Sequence, residues 1–165
     1  MRYAVLTISD RCFRGEATDE AGPALCELME RSLEGSKVTT GLVPDEAEGI
    51  SAQLTAWAQM PEPPDVILTT GGTGLGPRDV TPEATRAVVE RPHPGLMEMS
   101  RAVGAESTPF AYLSRGVAGS IGDSLVINLP GSTAGATDSL RALVPVLAHA
   151  VASMKGAGHG KPYDE

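Results

Sequence analysis

Aromatic side chains are scarce: one tryptophan, three tyrosines and two phenylalanines in 165 residues. The core must therefore be built mostly from Val, Leu, Ile and Ala. Cysteine is nearly absent. Cys12 and Cys26 match no metal-ligand spacing and cannot build a disulfide framework, so the expected setting is a reducing cytoplasm. Basic charge is in deficit, with 13 Lys and Arg against 21 Asp and Glu and a net charge of −8. That excludes a general nucleic-acid or membrane surface, and any anion must be held locally, by loops or through a metal. No apolar run approaches membrane-spanning length, and Tyr3 to Ile8 is too short, and too close to charge, for a signal peptide. Of the three histidines, His93 lies between prolines, His149 on the last helical stretch and His159 in the tail. None has a triad-like setting, and all three read as structural or exposed.

What is present is an alternation of strand and helix patterns. Arg2 to Ser9, Lys37 to Val43 and Val66 to Thr70 read as strands. Between them, Leu25 to Leu33 and Ala47 to Trp57 carry helical spacing, and Asp10 to Asp19 reads as a loop. Thr81-Pro82 reads as a helix start, a hydroxyl cap with proline behind it, for a helix to about Val89. Arg91 to Gly95 should end that helix, and another is expected over Leu96 to Val103. Phe110 to Val117 and Leu125 to Leu129 look like an antiparallel pair around a turn at Gly119 to Asp123. A last helix carries Ala136 to Met154, with a kink or break expected at Pro145. The pattern implies one α/β domain over residues 1–155, followed by a polar tail over 156–165. It is a three-layer sandwich: a mostly parallel central sheet with an antiparallel hairpin strand, and helices on both faces.

Ligands of such sheets bind at the carboxyl ends of the strands. That rule selects Ser9-Asp10, Pro44-Asp45-Glu46, the stretch TTGGTGLGPRD (Thr69 to Asp79) and Pro130-Gly131-Ser132. The third stretch packs four glycines into six residues. It lacks the spacing of a dinucleotide fingerprint and the Gly-Lys-Ser/Thr of a P-loop. Its backbone can still approach phosphate closely and offer N–H groups to it. Thr69, Thr70 and Thr73 add hydroxyls, and Arg78 offers a planar fork.

Asp45 and Asp79 both precede expected helices and can be read as caps. Read together, two carboxylates in an anion site call for a cation such as Mg²⁺, or for a ligand donor such as an aminopyrimidine ring. Spacing leaves both open.

TTGGTGLGPRDVTPEAT (Thr69 to Thr85) is very similar to the signature of molybdopterin adenylyltransferases, the MogA/MoaB-like family that includes the G domain of gephyrin. LTISDR (Leu6 to Arg11), VPDE (Val43 to Glu46), TPFAYLSRGVAG (Thr108 to Gly119) and VINLPGS (Val126 to Ser132) resemble the family's other motifs in the same order. The resemblance implies an α/β fold, usually a trimer, and Mg²⁺-dependent transfer of AMP from ATP to molybdopterin. Asp45 and Asp79 sit where the family's essential aspartates sit, as catalytic and metal-side residues. Thr70, Gly71, Gly72, Thr73, Gly74, Arg78 and Ser132 match its molybdopterin and phosphate loops. Ser9, Asp10, Pro44, Glu46, Pro130 and Gly131 fall to the nucleotide. PGSTAGA (Pro130 to Ala136) is closer to the MoaB branch, which leaves a non-catalytic molybdopterin-binding scaffold as the alternative. Hand-over of the product to a molybdenum insertase is a further implication.

Overall fold

The computed structural model describes residues 1–156. Of the expected tail, residues 157–165 lie outside the described residues. Six strands form one sheet: β1 (Arg2–Ile8), β2 (Ser36–Val43), β3 (Val66–Thr70), β4 (Arg91–Pro92), β5 (Ala118–Ile121) and β6 (Ser124–Leu129), in the order β2-β1-β3-β6-β5-β4. β2, β1, β3 and β6 run parallel, while β5 is antiparallel to both β6 and β4. Every residue of β3 and β6 is buried, as a parallel sheet covered on both faces requires.

The two-residue period of the strands sorts the core into two layers. Tyr3, Val5, Val66, Leu68, Leu125 and Ile127 pack on one face against α2 (Ala21–Leu33), α5 (Pro94–Ser107) and α6 (Thr133–Met154). Ala4, Leu6, Ile8, Ile67 and Val126 pack on the other against α3 (Ala47–Ala58) and α4 (Thr81–Arg86). The chain steps from β1 outward to β2, then crosses back past β1 to β3. The crevice between the carboxyl ends of β1 and β3 is thus a topological switch point, the place where such sheets bind ligands.

Several local expectations are corrected. Asp10–Phe13 is a helical turn, α1, because the Ser9 hydroxyl caps it by accepting the Cys12 N–H at 3.2 Å. Pro94 begins α5 instead of breaking the chain, so that helix is longer than expected. Phe110 to Leu113 is not strand. Pro109–Leu113 is a 3₁₀ turn seeded by Pro109 and by the Thr108 hydroxyl, and the hairpin strand starts only at Ala118. α4 stops at Arg86, after which Glu90 and His93 donate to Ser120 and Ala118 across a short edge strand. Pro92 is tolerated there because edge strands need fewer donors. α6 runs unbroken through Pro145.

Candidate active site

The glycine loop leaves β3 through two backbone conformations that side chains rarely adopt. Gly71 has φ +106° and Gly72 φ +62°. A Cβ on Gly71 would lie 2.1 Å from the Ile8 carbonyl oxygen, and one on Gly72 would lie 2.3 Å from Thr81 Oγ1 and 3.0 Å from Asp45 Oδ1. The missing side chains thus let three strand ends close on one another. Thr81 is not the cap it resembled. It is fully buried and donates to the Gly71 carbonyl at 2.9 Å, while Val80 takes the capping position without a side-chain bond.

The loop after β6 clasps the glycine loop from the other side. The Gly71 N–H donates to Leu129 O at 3.2 Å, and the Thr70 hydroxyl donates to Pro130 O at 2.7 Å. The Ser132 hydroxyl caps α6 by accepting the Gly135 N–H at 3.2 Å. The 22-residue α6 therefore starts at the site, with its positive end toward it. Thr69 points away: Asn128 donates to its hydroxyl at 3.0 Å in the core.

Neither aspartate caps the helix that follows it. Asp45 Oδ2 accepts the Asp10 N–H at 2.8 Å, and the residue at the start of α3 is the exposed Glu46, which makes no side-chain cap. Asp79 Oδ2 accepts the Gly76 N–H at 2.7 Å and folds the loop back on itself. Oδ1 of both residues makes no hydrogen bond among the described residues. Burial pushes the Asp45 carboxyl above its ordinary value, and the charges of Asp10 and Asp79 add to the rise. Asp10 is shifted the other way, held low by the Asp45 N–H and by Arg78. The Arg78 guanidinium is forked onto Asp10 at 3.0 and 2.9 Å.

Two cavities open on this constellation. One, of 390 Å³, runs from Thr73, Gly74 and Pro130 to Met97 and Leu113. The other, of 410 Å³, includes Ser9, Asp45, Thr70 and Gly71. Gly72, Asp79, Gly131 and Ser132 line both, so they form the partition. Of the expected site residues, Asp10, Pro44, Glu46 and Arg78 line neither cavity. No group of three or more His, Cys, Asp or Glu suited to a metal exists among the described residues. The two carboxylates with free Oδ1 atoms and uncompensated charge still fit Mg²⁺, which binds through one or two carboxylates when phosphate supplies the remaining oxygens.

Two residues escaped sequence reasoning. Arg115 crosses to the glycine loop and donates from Nε to Gly74 O at 2.7 Å and from Nη2 to Asp79 O. Asn128, fully buried, ties β6 to Thr69 on β3 and Thr85 on α4, at 3.0 and 2.9 Å. Their partners lie far off in the chain, so no spacing betrays them. The only cue was a polar residue within an otherwise apolar strand pattern.

These features define an α/β domain whose strand-end loops gather at the carboxyl ends of β1, β3 and β6. The chain belongs to the family described as "Probable molybdopterin binding domain", whose model matches residues 4–149. It is 41% identical over 90% of its length to the Drosophila melanogaster "Molybdenum cofactor synthesis protein cinnamon", of which it covers 25%. It is 36% identical to the Helicobacter pylori "Molybdopterin adenylyltransferase", covering 92% of this chain and 86% of that one. A crystal structure of the molybdopterin biosynthesis enzyme MoaB from Thermus thermophilus matches with a TM-score of 0.88 and 47% identity, over 99% of both chains. The chain spans between 21% and 50% of the length of the first curated relatives it matches.

Proposed function

We propose that this chain acts in molybdenum cofactor biosynthesis as a molybdopterin adenylyltransferase. A phosphate oxygen of molybdopterin attacks the α-phosphorus of ATP, the bond to the β-phosphate breaks, and pyrophosphate leaves. The observation that carries this reading is the shared partition: two cavities meet at Gly72, Asp79, Gly131 and Ser132. Two substrates that react phosphate to phosphate need adjoining pockets of this kind. The name "Molybdopterin adenylyltransferase", carried by two relatives that the chain matches over most of its length, supports the same chemistry.

The cavity reaching Met97 and Leu113 suits the pterin, and the one holding Ser9, Asp45 and Thr70 suits the nucleotide. The chain supplies no nucleophile. Its residues align two anions at the partition, with the start of α6 and the glycine-loop N–H groups facing them. Mg²⁺, held by Asp45 and Asp79, would offset the repulsion between the phosphates. Asp45 serves the metal side, and Asp79, which borders both cavities, aligns the pterin or shares the ion. The same reading carries one functional domain over residues 1–155, a homotrimer, a cytoplasmic setting and hand-over to a molybdenum insertase. Exposed Phe110, Tyr112 and Leu113 are suited to contact between copies. No helix among the described residues is long and apolar enough to cross a membrane.

The decisive experiment supplies purified protein with molybdopterin and Mg-ATP and follows pyrophosphate and the adenylated product. Asp45→Ala and Asp79→Ala should stay folded and lose turnover. A protein that binds molybdopterin yet never releases pyrophosphate is the scaffold instead.

A further inference from the structure

We propose that Arg115 is the positioning residue of the glycine loop, and that it turns two backbone N–H groups of that loop into an anion cradle. The residue grips the loop at both ends. Its own N–H donates to Thr73 O at 2.9 Å, Nε donates to Gly74 O at 2.7 Å, and Nη2 donates to Asp79 O. The intervening residues Leu75 to Arg78 are exposed and belong to no helix or strand. Arg115 lines neither of the two cavities, so it acts through the loop and not on a substrate.

The consequence follows from the peptide unit. In a trans peptide the N–H points opposite to the preceding C=O. Anchoring the carbonyls of Thr73 and Gly74 on Arg115 therefore turns the N–H groups of Gly74 and Leu75 away from it. Both N–H groups are without a partner among the described residues. Successive free N–H groups of this kind bind anions. The same grip on the Asp79 carbonyl fixes the residue whose carboxylate borders both cavities. Glu83 completes the arrangement: it pairs with Nη1, so the guanidinium has an anion of its own and no cause to swing toward a substrate phosphate. Guanidinium geometry is essential, because one ammonium cannot reach all the acceptors that the planar fork reaches.

The kinetic part of this proposal rests on the adenylyl-transfer reading; the structural part does not. Hydrogen–deuterium exchange on the unliganded chain tests the structural part with Arg115→Gln and Arg115→Lys. The hydrogen-bonded amides of the loop, Gly76, Asp79 and Thr81, should exchange about tenfold faster or more in both variants, with β1, β3 and β6 unchanged. Inorganic pyrophosphate should protect the Gly74 and Leu75 amides in the unaltered protein and not in the variants. In turnover, Arg115→Gln should lose roughly 100-fold in kcat with the KM for molybdopterin within about threefold, the mark of misalignment. Arg115→Lys should recover less than a tenth of the lost rate. Unchanged exchange at Gly76, Asp79 and Thr81, or full rescue by lysine, overturns the proposal. If the unaltered protein transfers no adenylyl group, the function proposed above fails, and the exchange and pyrophosphate measurements still decide the role of Arg115.

Discussion

Asp10 and Asp45 each accept the backbone N–H of the other, Asp10 N–H to Asp45 Oδ2 at 2.8 Å and Asp45 N–H to Asp10 Oδ1 at 3.1 Å. This reciprocal pair cross-links the carboxyl ends of two neighbouring parallel strands and places two negative charges side by side. Arg78 pairs with Asp10 directly and offsets the field of Asp10 and Asp79 at Asp45 only in part. Burial and the neighbouring charges make ionisation of Asp45 costly in this place.

Asp45→Asn should therefore stabilise the protein while inactivating it. The folded pKa of Asp45 lies above its ordinary value of 3.8, so the folded state holds that proton more tightly than the unfolded chain. Stability then falls as pH rises from about 3.8 through the folded pKa, and the loss is complete above it. Asparagine keeps an oxygen for the Asp10 N–H and removes the charge. Its Tm should exceed that of the unaltered protein at pH 7, with the advantage gone at pH 3, while adenylyl transfer drops about 10²–10³-fold. Thermal melts at the two pH values, with a turnover assay, check both halves. A variant that melts lower at pH 7 contradicts the account.

The sheet and the convergence of its strand-end loops were legible because they depend on local signals: apolar strands, glycine placement and the rule of strand ends. That rule selected the segments that carry Asp45 and Asp79, and both residues line one cavity. The pairing of Arg78 with Asp10, 68 residues away, was not legible, because no local pattern signals it. Arg115 was hidden because Phe110 to Val117 has the composition of a strand, whereas Pro109 and the Thr108 hydroxyl impose a turn. Proline misled in the same sense at Pro94, where it begins a helix, while at Pro145 α6 continues without a break.

Asn128 has all its hydrogen-bonding demands met inside the core. Its amide donates to Thr69 and Thr85, and its Oδ1 accepts the Val117 N–H at 3.2 Å. Asn128→Leu fills similar space but strands that N–H and deprives two fully buried hydroxyls of a donor. The expected cost is about 2 kcal/mol, from the desolvation of unpaired polar groups. In a chain of this size that lowers Tm by roughly 4–8 °C. Urea unfolding with an unchanged m-value would identify the loss as one of stability alone.

Asp65 supplies the acid limb of the stability profile. Burial alone would raise its carboxyl, but Lys155 and the Arg2 N–H, at 2.6 Å, outweigh burial and hold it below the ordinary range. Because the folded pKa is depressed, the contribution is present above about pH 4 and is lost as pH falls through the folded value. Asp65→Asn should cost about 1–2 kcal/mol at pH 7, less than the usual worth of bonds to a charged group because solvent screens the partly exposed Lys155. The unaltered protein and the variant should converge in stability near pH 2. Parallel curves from pH 7 to pH 2 would exclude this pair as a source of acid sensitivity.

Gly71 and Gly122 separate backbone strain from crowding. Both have positive φ, +106° and +53°, but a Cβ at Gly122 meets nothing within 4 Å. Gly122→Ala should cost only the conformational penalty, roughly 1 kcal/mol. Gly71→Ala adds a 2.1 Å approach to the Ile8 carbonyl oxygen, an atom fixed in the central strand. Neither strand can retreat, because both are bonded into the sheet, so the crowding must be relieved by moving the loop or by unfolding. Gly71→Ala should therefore lose about 3 kcal/mol or more. It should also lose turnover even where it stays folded, since a displaced Gly71 carries Gly72 and the partition with it. Equal destabilisation by the two alanines would mean that φ alone governs this turn, and that the close approach of β1 to the glycine loop contributes nothing.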